Sequence, residues 1–184
     1  MKFIETEIPD LYIIEPLVFE DDRGYFLESF NLENFKKNLG GIRFVQDNES
    51  KSSKGVLRGL HFQNPPFAQS KLVRCIKGRV LDVALDIRKG SPTYGNHLAV
   101  ELSGENKRQL FIPRGFAHGF IVLSESAVFS YKVDNNYAPE YDSGIRFDDQ
   151  ELNINWGLSK EDIQLSVKDK DLKSFNKLDS PFKF

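Results

Sequence analysis

The stretch Val80-Leu81-Asp82-Val83-Ala84-Leu85-Asp86-Ile87-Arg88 alternates in character along its length. Leu81, Val83, Leu85 and Ile87 fall on one face, and Val80, Asp82, Ala84, Asp86 and Arg88 on the other. A period of two is the mark of a β-strand. The pattern continues downstream. Leu98, Val100 and Leu102 alternate with Ala99, Glu101 and Ser103, and Ser103-Gly104-Glu105-Asn106 reads as a turn. Leu110 and Ile112 lead into a Pro113-Arg114-Gly115 turn, and Phe120 to Leu123 is a short apolar strand. Ala127, Phe129, Tyr131 and Val133 alternate with Val128, Ser130 and Lys132. Short strands at intervals of roughly 8–12 residues, parted by Gly and Pro turns, predict a mainly β sandwich or barrel. Helix signals are few. Asn31 is placed to cap a short helix with Leu32, Phe35 and Leu39 on one face, stopped by Gly40 and Gly41. Ser159-Lys160-Glu161-Asp162 opens a second short turn, and the tail from Lys168 to Phe184 reads as polar and irregular.

The 184 residues predict one domain spanning residues 1–184. Hydrophobic residues at 40% can build a core, and the 16 phenylalanines point to an aromatic-rich one. A net charge of −2 argues against nucleic-acid or membrane-surface binding. No apolar run approaches the roughly 18 residues of a membrane span, and Met1 to Glu7 lacks an apolar signal core. Cys75 is the single cysteine, so neither an intrachain disulfide nor a cysteine zinc site is available. The expectation is a soluble cytoplasmic protein.

Three histidines carry candidate chemistry. His61 lies in Leu57-Arg58-Gly59-Leu60-His61-Phe62-Gln63, with Lys71 further on; His118 lies in Arg114-Gly115-Phe116-Ala117-His118-Gly119-Phe120. Glycines beside both let backbone approach a ligand. His97 begins a strand without such company. On the residues alone, each histidine is equally a hydrogen-bonded core or surface residue. Arg58 and Lys71 are equally solvated ions, Tyr131 a core tyrosine, and Gln46-Asp47-Asn48 a polar strand end or turn. A metal site commonly needs closely spaced histidines and a carboxylate, whereas Phe62 and Gln63 follow His61, so no metal is expected. Walker and Rossmann glycine loops are missing.

An ordered set of segments is more specific. It comprises Asp22-Arg23-Gly24-Tyr25-Phe26-Leu27-Glu28-Ser29-Phe30, Phe44-Val45-Gln46-Asp47-Asn48, Gly55 to Gln63, Lys71-Leu72-Val73-Arg74-Cys75, Asp82 to Arg88, Ile112 to Phe120, Tyr131-Lys132, Asn136-Tyr137-Ala138-Pro139 and Leu165-Ser166-Val167-Lys168-Asp169. Taken in order, these resemble the dTDP-4-dehydrorhamnose 3,5-epimerase family of dTDP-sugar biosynthesis over nearly the whole chain. The resemblance implies a cupin-type jelly-roll β-barrel working without metal or other cofactor. It also implies a homodimer in which N-terminal residues reach the neighbour's site. The implied substrate is a dTDP-4-keto-6-deoxyhexose, inverted at carbons 3 and 5. His61 would be the base, Asp169 its carboxylate partner, Tyr131 the opposite-face acid and Lys71 the cation at the enolate oxygen. Asp162, in the similar string Leu158 to Asp162, is the weaker match for the carboxylate. Arg58, Arg23 and Lys168 would take the diphosphate, and His118 the sugar. Gln46, Asp47, Asn48, Glu28 and Asp142 would take the nucleoside end, with Phe26 and Tyr137 as stacking surfaces.

The chain departs from the family pattern at four places. Asp142 replaces the usual Glu, Phe147-Asp148-Asp149-Gln150 replaces a Trp-Asn-Asp-Pro-like string, Trp156-Gly157 stands for Trp-Pro, and Phe62 follows the base where Tyr is common. These leave substrate scope more open than reaction type. An epimerase inverting one carbon, and a sugar-nucleotide-binding cupin without catalysis, are the rival readings.

Overall fold

The computed structural model describes residues 1–184. Its strands are β1 (Lys2–Glu5), β2 (Tyr12–Glu15), β3 (Val18–Asp21), β4 (Gly24–Leu27), β5 (Gln46–Ser53), β6 (Leu57–Gln63), β7 (Lys71–Lys77), β8 (Arg79–Asp86), β9 (His97–Ser103), β10 (Gln109–Ile112), β11 (Phe116–Val122), β12 (Ser126–Val133) and β13 (Asp142–Gly144). Two antiparallel sheets face each other, one ordered β1-β2-β10-β7-β12-β5 and the other β13-β6-β11-β8-β9. β3 and β4 form a separate hairpin. The short, regularly spaced strands predict a sandwich or barrel of this kind, and its jelly-roll form is the one the family resemblance implies.

Both faces of β8 are buried, and the period-two pattern assigns them. Val80 and Ala84 face inward and join Val73, Cys75, Leu110, Phe120 and Phe129 in the core between the sheets. Val83, Leu85 and Ile87 face outward, where Ile145, Phe147, Trp156, Phe175 and Phe182 cover them. The tail is irregular, as its composition predicts, but it is not simply polar. Phe175 and Phe182 pack into this outer layer, and each buried aromatic of that kind contributes about 1.5–3 kcal/mol of transfer free energy. The departing string Phe147 to Gln150 is structural: Asp149 accepts hydrogen bonds from the Leu152 and Phe175 amides, and Trp156 Nε1 donates to the Phe147 carbonyl at 2.8 Å.

The helix α1 (Leu32–Leu39) forms where its signals lie. The Asn31 side chain accepts from the Glu33 and Asn34 amides, and Gly40 ends the helix at φ 80°. Phe35 anchors it to the outer face of the six-stranded sheet with Ile14, Leu72 and Phe111. β5 is the element that differs from expectation. Gln46-Asp47-Asn48 is the polar end of a strand, but that strand runs on for eight residues as a sheet edge paired along its length with β12, which no apolar alternation announces. Asp47, Glu49 and Lys51 point outward and are exposed, which suits an unpaired sheet edge.

Candidate active site

A cavity of about 670 Å³ opens between the inner faces of the two sheets. One wall belongs to β6 and β11. Arg58 and His61 are three residues apart, so a regular strand would send them to opposite faces. A bulge corrects this: His118 pairs with His61 but Phe120 pairs with Arg58, so one extra residue of β6 is accommodated between them. The two strands touch closely there, and a Cβ on Gly119 would lie 2.8 Å from the Arg58 carbonyl oxygen. Arg58, His61, His118 and Phe120 therefore all line the cavity.

The facing wall comes from β7, β12 and β5, which supply Lys71, Tyr131 and Asn48. The rim is the segment from Gln164 to Asp169. Here the four-residue helix α2 (Val167–Lys170) begins at Ser166, whose Oγ accepts the Asp169 amide at 3.1 Å. That cap turns the Asp169 carboxylate onto His61, with Oδ1 2.5 Å from Nε2. Asp169 is 4% exposed and His61 28%. Burial works to raise the Asp169 carboxyl, but hydrogen bonding and charge from His61, with Ser166 and Lys168, outweigh it and hold it below its ordinary value. Asp162, the weaker match, lies on an exposed turn and accepts from the Ser159 hydroxyl instead.

The other groups are poised in distinct ways. Lys71 makes no ion pair and faces the cavity; burial pushes it down to about 8, against the pull of Asp82 and Asp142. Tyr131 has no hydrogen-bond partner for its hydroxyl, and burial pushes the phenol up. Arg58 bonds only Ser52 Oγ, from Nε and Nη2 at 3.2 Å each, leaving its charge uncompensated. Lys168 pairs with Asp142, which also accepts from the Tyr137 hydroxyl at 3.0 Å. His118 Nε2 contacts both Asp82 oxygens, at 3.1 and 3.0 Å.

The remaining predicted residues lie elsewhere. Asp47 points to the other side of β5 from Asn48 and pairs with Lys132 at 2.8 Å, because adjacent strand residues face opposite ways. Gln46 shares the Asn48 side and donates to its Oδ1 at 2.8 Å. Arg23 and Phe26 stand on the β3–β4 hairpin, where Arg23 pairs with Asp21 and Phe26 is 68% exposed. Glu28, just beyond, accepts from Asn31 Nδ2 at 3.1 Å. None of these lines the chain's own cavity. Asp82 is the residue that sequence reading passed over, and its signal was visible: a carboxylate on the inward face between Val80 and Ala84. No group of three or more His, Cys, Asp or Glu side chains is arranged to hold a metal ion.

Comparison with known proteins agrees with this geometry. A family model described as dTDP-4-dehydrorhamnose 3,5-epimerase matches residues 5–177. An enzyme of that name from Shigella flexneri is 59% identical over 157 residues, covering 85% of this chain and 87% of its own. One from Escherichia coli K12 is 54% identical over 179 residues, covering 97% and 96%. Among solved structures, a dTDP-6-deoxy-D-glucose-3,5-epimerase from Legionella pneumophila in complex with dTDP-4-keto-L-rhamnose superposes with a TM-score of 0.95. It is 49% identical and is covered over 98% of its length, against 100% of this chain.

Proposed function

The chain belongs to the dTDP-4-dehydrorhamnose 3,5-epimerase family, and from that premise we propose that His61, Asp169, Lys71 and Tyr131 carry the reaction. The activity is conversion of dTDP-4-dehydro-6-deoxy-D-glucose to dTDP-4-dehydro-L-rhamnose, by inversion at carbons 3 and 5. Both carbons flank the carbon 4 ketone, so loss of either proton gives an enolate. Return of a proton to the other face inverts the centre. Protons leave and return with no net oxidation, so no electron carrier is required.

The observation that carries the assignment is the 2.5 Å contact of His61 with Asp169, on the wall facing Tyr131 and Lys71. His61 takes the proton through the ring nitrogen that Asp169 does not engage, and the buried carboxylate stabilises the imidazolium that forms. Lys71, charged at neutral pH, meets the negative charge that develops on the carbon 4 oxygen. Tyr131 returns a proton from the opposite wall, and its raised phenol keeps that proton available at neutral pH. Arg58 and Lys168 hold the diphosphate, His118 the sugar, and Asn48, Gln46 and Asp142 the nucleoside end.

The same reading makes the molecule a homodimer of one-domain chains at work in the cytoplasm. Arg23, Phe26 and Glu28 then complete the neighbour's cavity, with Phe26 and Tyr137 flanking the base. Support comes from the hairpin, whose Phe19, Tyr25 and Phe26 are each more than half exposed. The test is proton NMR of dTDP-4-keto-6-deoxyglucose with the enzyme in deuterium oxide. Signals at carbons 3 and 5 should both vanish with wild type, and neither with His61→Asn, while that variant still binds dTDP. Near-normal turnover in His61→Asn would refute the base assignment; loss at carbon 3 alone would restrict the enzyme to one centre.

A further inference from the structure

Asp82 lies under the cavity, in contact with His118, and the scheme above gives it no task. It is fully buried on β8, facing inward between Val80 and Ala84, and its carboxylate bonds nothing but His118 Nε2. His118 Nδ1 has no hydrogen bond, and no sealed side-chain nitrogen in the molecule lacks a partner, so Nδ1 opens on the cavity. Resting on the reading of this cavity as the epimerase site, we propose that Asp82 is a positioning residue with two effects. It fixes the His118 ring with Nε2–H toward itself and Nδ1 toward the sugar, and it supplies the buried negative charge that keeps the Lys71 ammonium charged.

The chemistry follows from the donor count. A neutral imidazole that donates from Nε2 is an acceptor at Nδ1, suited to a pyranose hydroxyl. Burial favours that neutral ring, against the opposing effect of the carboxylate. The cavity that holds Lys71 also carries Arg58 and His61 on β6, His118 on β11, Tyr131 on β12, and Lys168 and Asp169 on α2, while Asp82 on β8 and Asp142 on β13 act on Lys71 by charge. Asp82 leads the influences that oppose the desolvation of Lys71, followed by Asp142, while Lys168 works the other way. A carboxylate so buried would be costly without these tasks.

The test uses Asp82→Asn, which keeps the shape and an oxygen to accept from His118 but removes the charge. Losing a nearby counter-charge shifts an ammonium by about one pH unit or more. The alkaline limb of kcat/KM, which the Lys71 ammonium is expected to set near 8, should move down by about that much. Working from protonated fractions, the variant should lose about eightfold at pH 8.5 and less than twofold at pH 6.5. An equal loss at every pH, with the limb unmoved, overturns the charge role. The second measurement needs no substrate. In ¹⁵N-histidine-labelled wild-type protein, the multiple-bond proton–nitrogen spectrum should report His118 protonated at Nε2. Protonation at Nδ1 alone overturns the orienting role, whatever the fate of the base assignment.

Discussion

Replacing Asp169 with Asn tests the catalytic pair at its most sensitive point. The carboxylate is 4% exposed and touches His61 at 2.5 Å, so proton abstraction creates an imidazolium beside a buried anion. Charges about 4 Å apart attract by about 4 kcal/mol where the effective dielectric is about 20. The amide of Asn keeps its dipole and recovers part of that, leaving a loss of about 3 kcal/mol, the upper range for a hydrogen bond to a charged group. If the imidazolium is fully formed in the transition state, about 3 kcal/mol corresponds to about 10²-fold in kcat. The base gains its charge only as it takes the proton, so KM should change little. The assay is deuterium exchange at carbons 3 and 5 under saturating substrate, with dTDP binding measured separately. Exchange at both carbons should fall by the same factor, because one base serves both. A fall of less than tenfold, or a loss confined to KM, would show that Asp169 orients the substrate and not the base.

Further outcomes follow from other contacts. Tyr131→Phe should slow inversion more than exchange, because the base can trade protons with solvent without the opposite-face acid; equal losses by NMR would remove the tyrosine from that role. Phe26→Ala should raise KM about tenfold, a loss of about 1.4 kcal/mol. Mixing it with His61→Asn should restore a site of wild-type KM, since one mixed cavity then has an intact base and an intact hairpin; no recovery would count against exchange of hairpins between subunits. Arg88→Met should cost about 3–5 kcal/mol of stability by calorimetry, because it removes the only cation paired with the Asp86 carboxylate, which is 0% exposed. For Asp86, burial raises the pKa, but the Arg88, Ser91 and Thr93 hydrogen bonds outweigh it and leave the folded value depressed. Its contribution is therefore complete above the unfolded value near 3.9 and disappears as pH falls through the folded one, so wild-type Tm should drop below about pH 4, and the variant should show less of that drop.

How far the sequence reveals this molecule depends on what each strand faces. β9 and β12 were legible because their inner rows are apolar and pack in the core, and β8 because its outward row of Leu81, Val83, Leu85 and Ile87 is apolar and packs under the outer aromatic layer. β5 was not, because its inward row of Gln46, Asn48, Ser50 and Ser52 is polar, with Asn48 and Ser50 lining the cavity, while its outward row is exposed. A strand lining a binding site loses the very contrast by which strands are recognised. The same logic splits Gln46-Asp47-Asn48, a contiguous motif in sequence whose middle residue points away. Phe175 and Phe182 carry no period at all, so the cover they give the outer sheet emerges only on folding.

The site follows a related rule. His61 and Arg58 share the cavity through a bulge that no spacing announces, and His61 meets Asp169 across 108 residues of sequence. The family resemblance named that pair, and the Ser166 cap gives it a physical cause. Asp82 needed only the strand period, because a carboxylate on an inward apolar row must be paid for by a partner. The residues hardest to find by resemblance and easiest to find by physics are those that hold the reacting groups without touching the substrate. A buried charge on a core-facing row is the place to look for them, since packing alone would never select it.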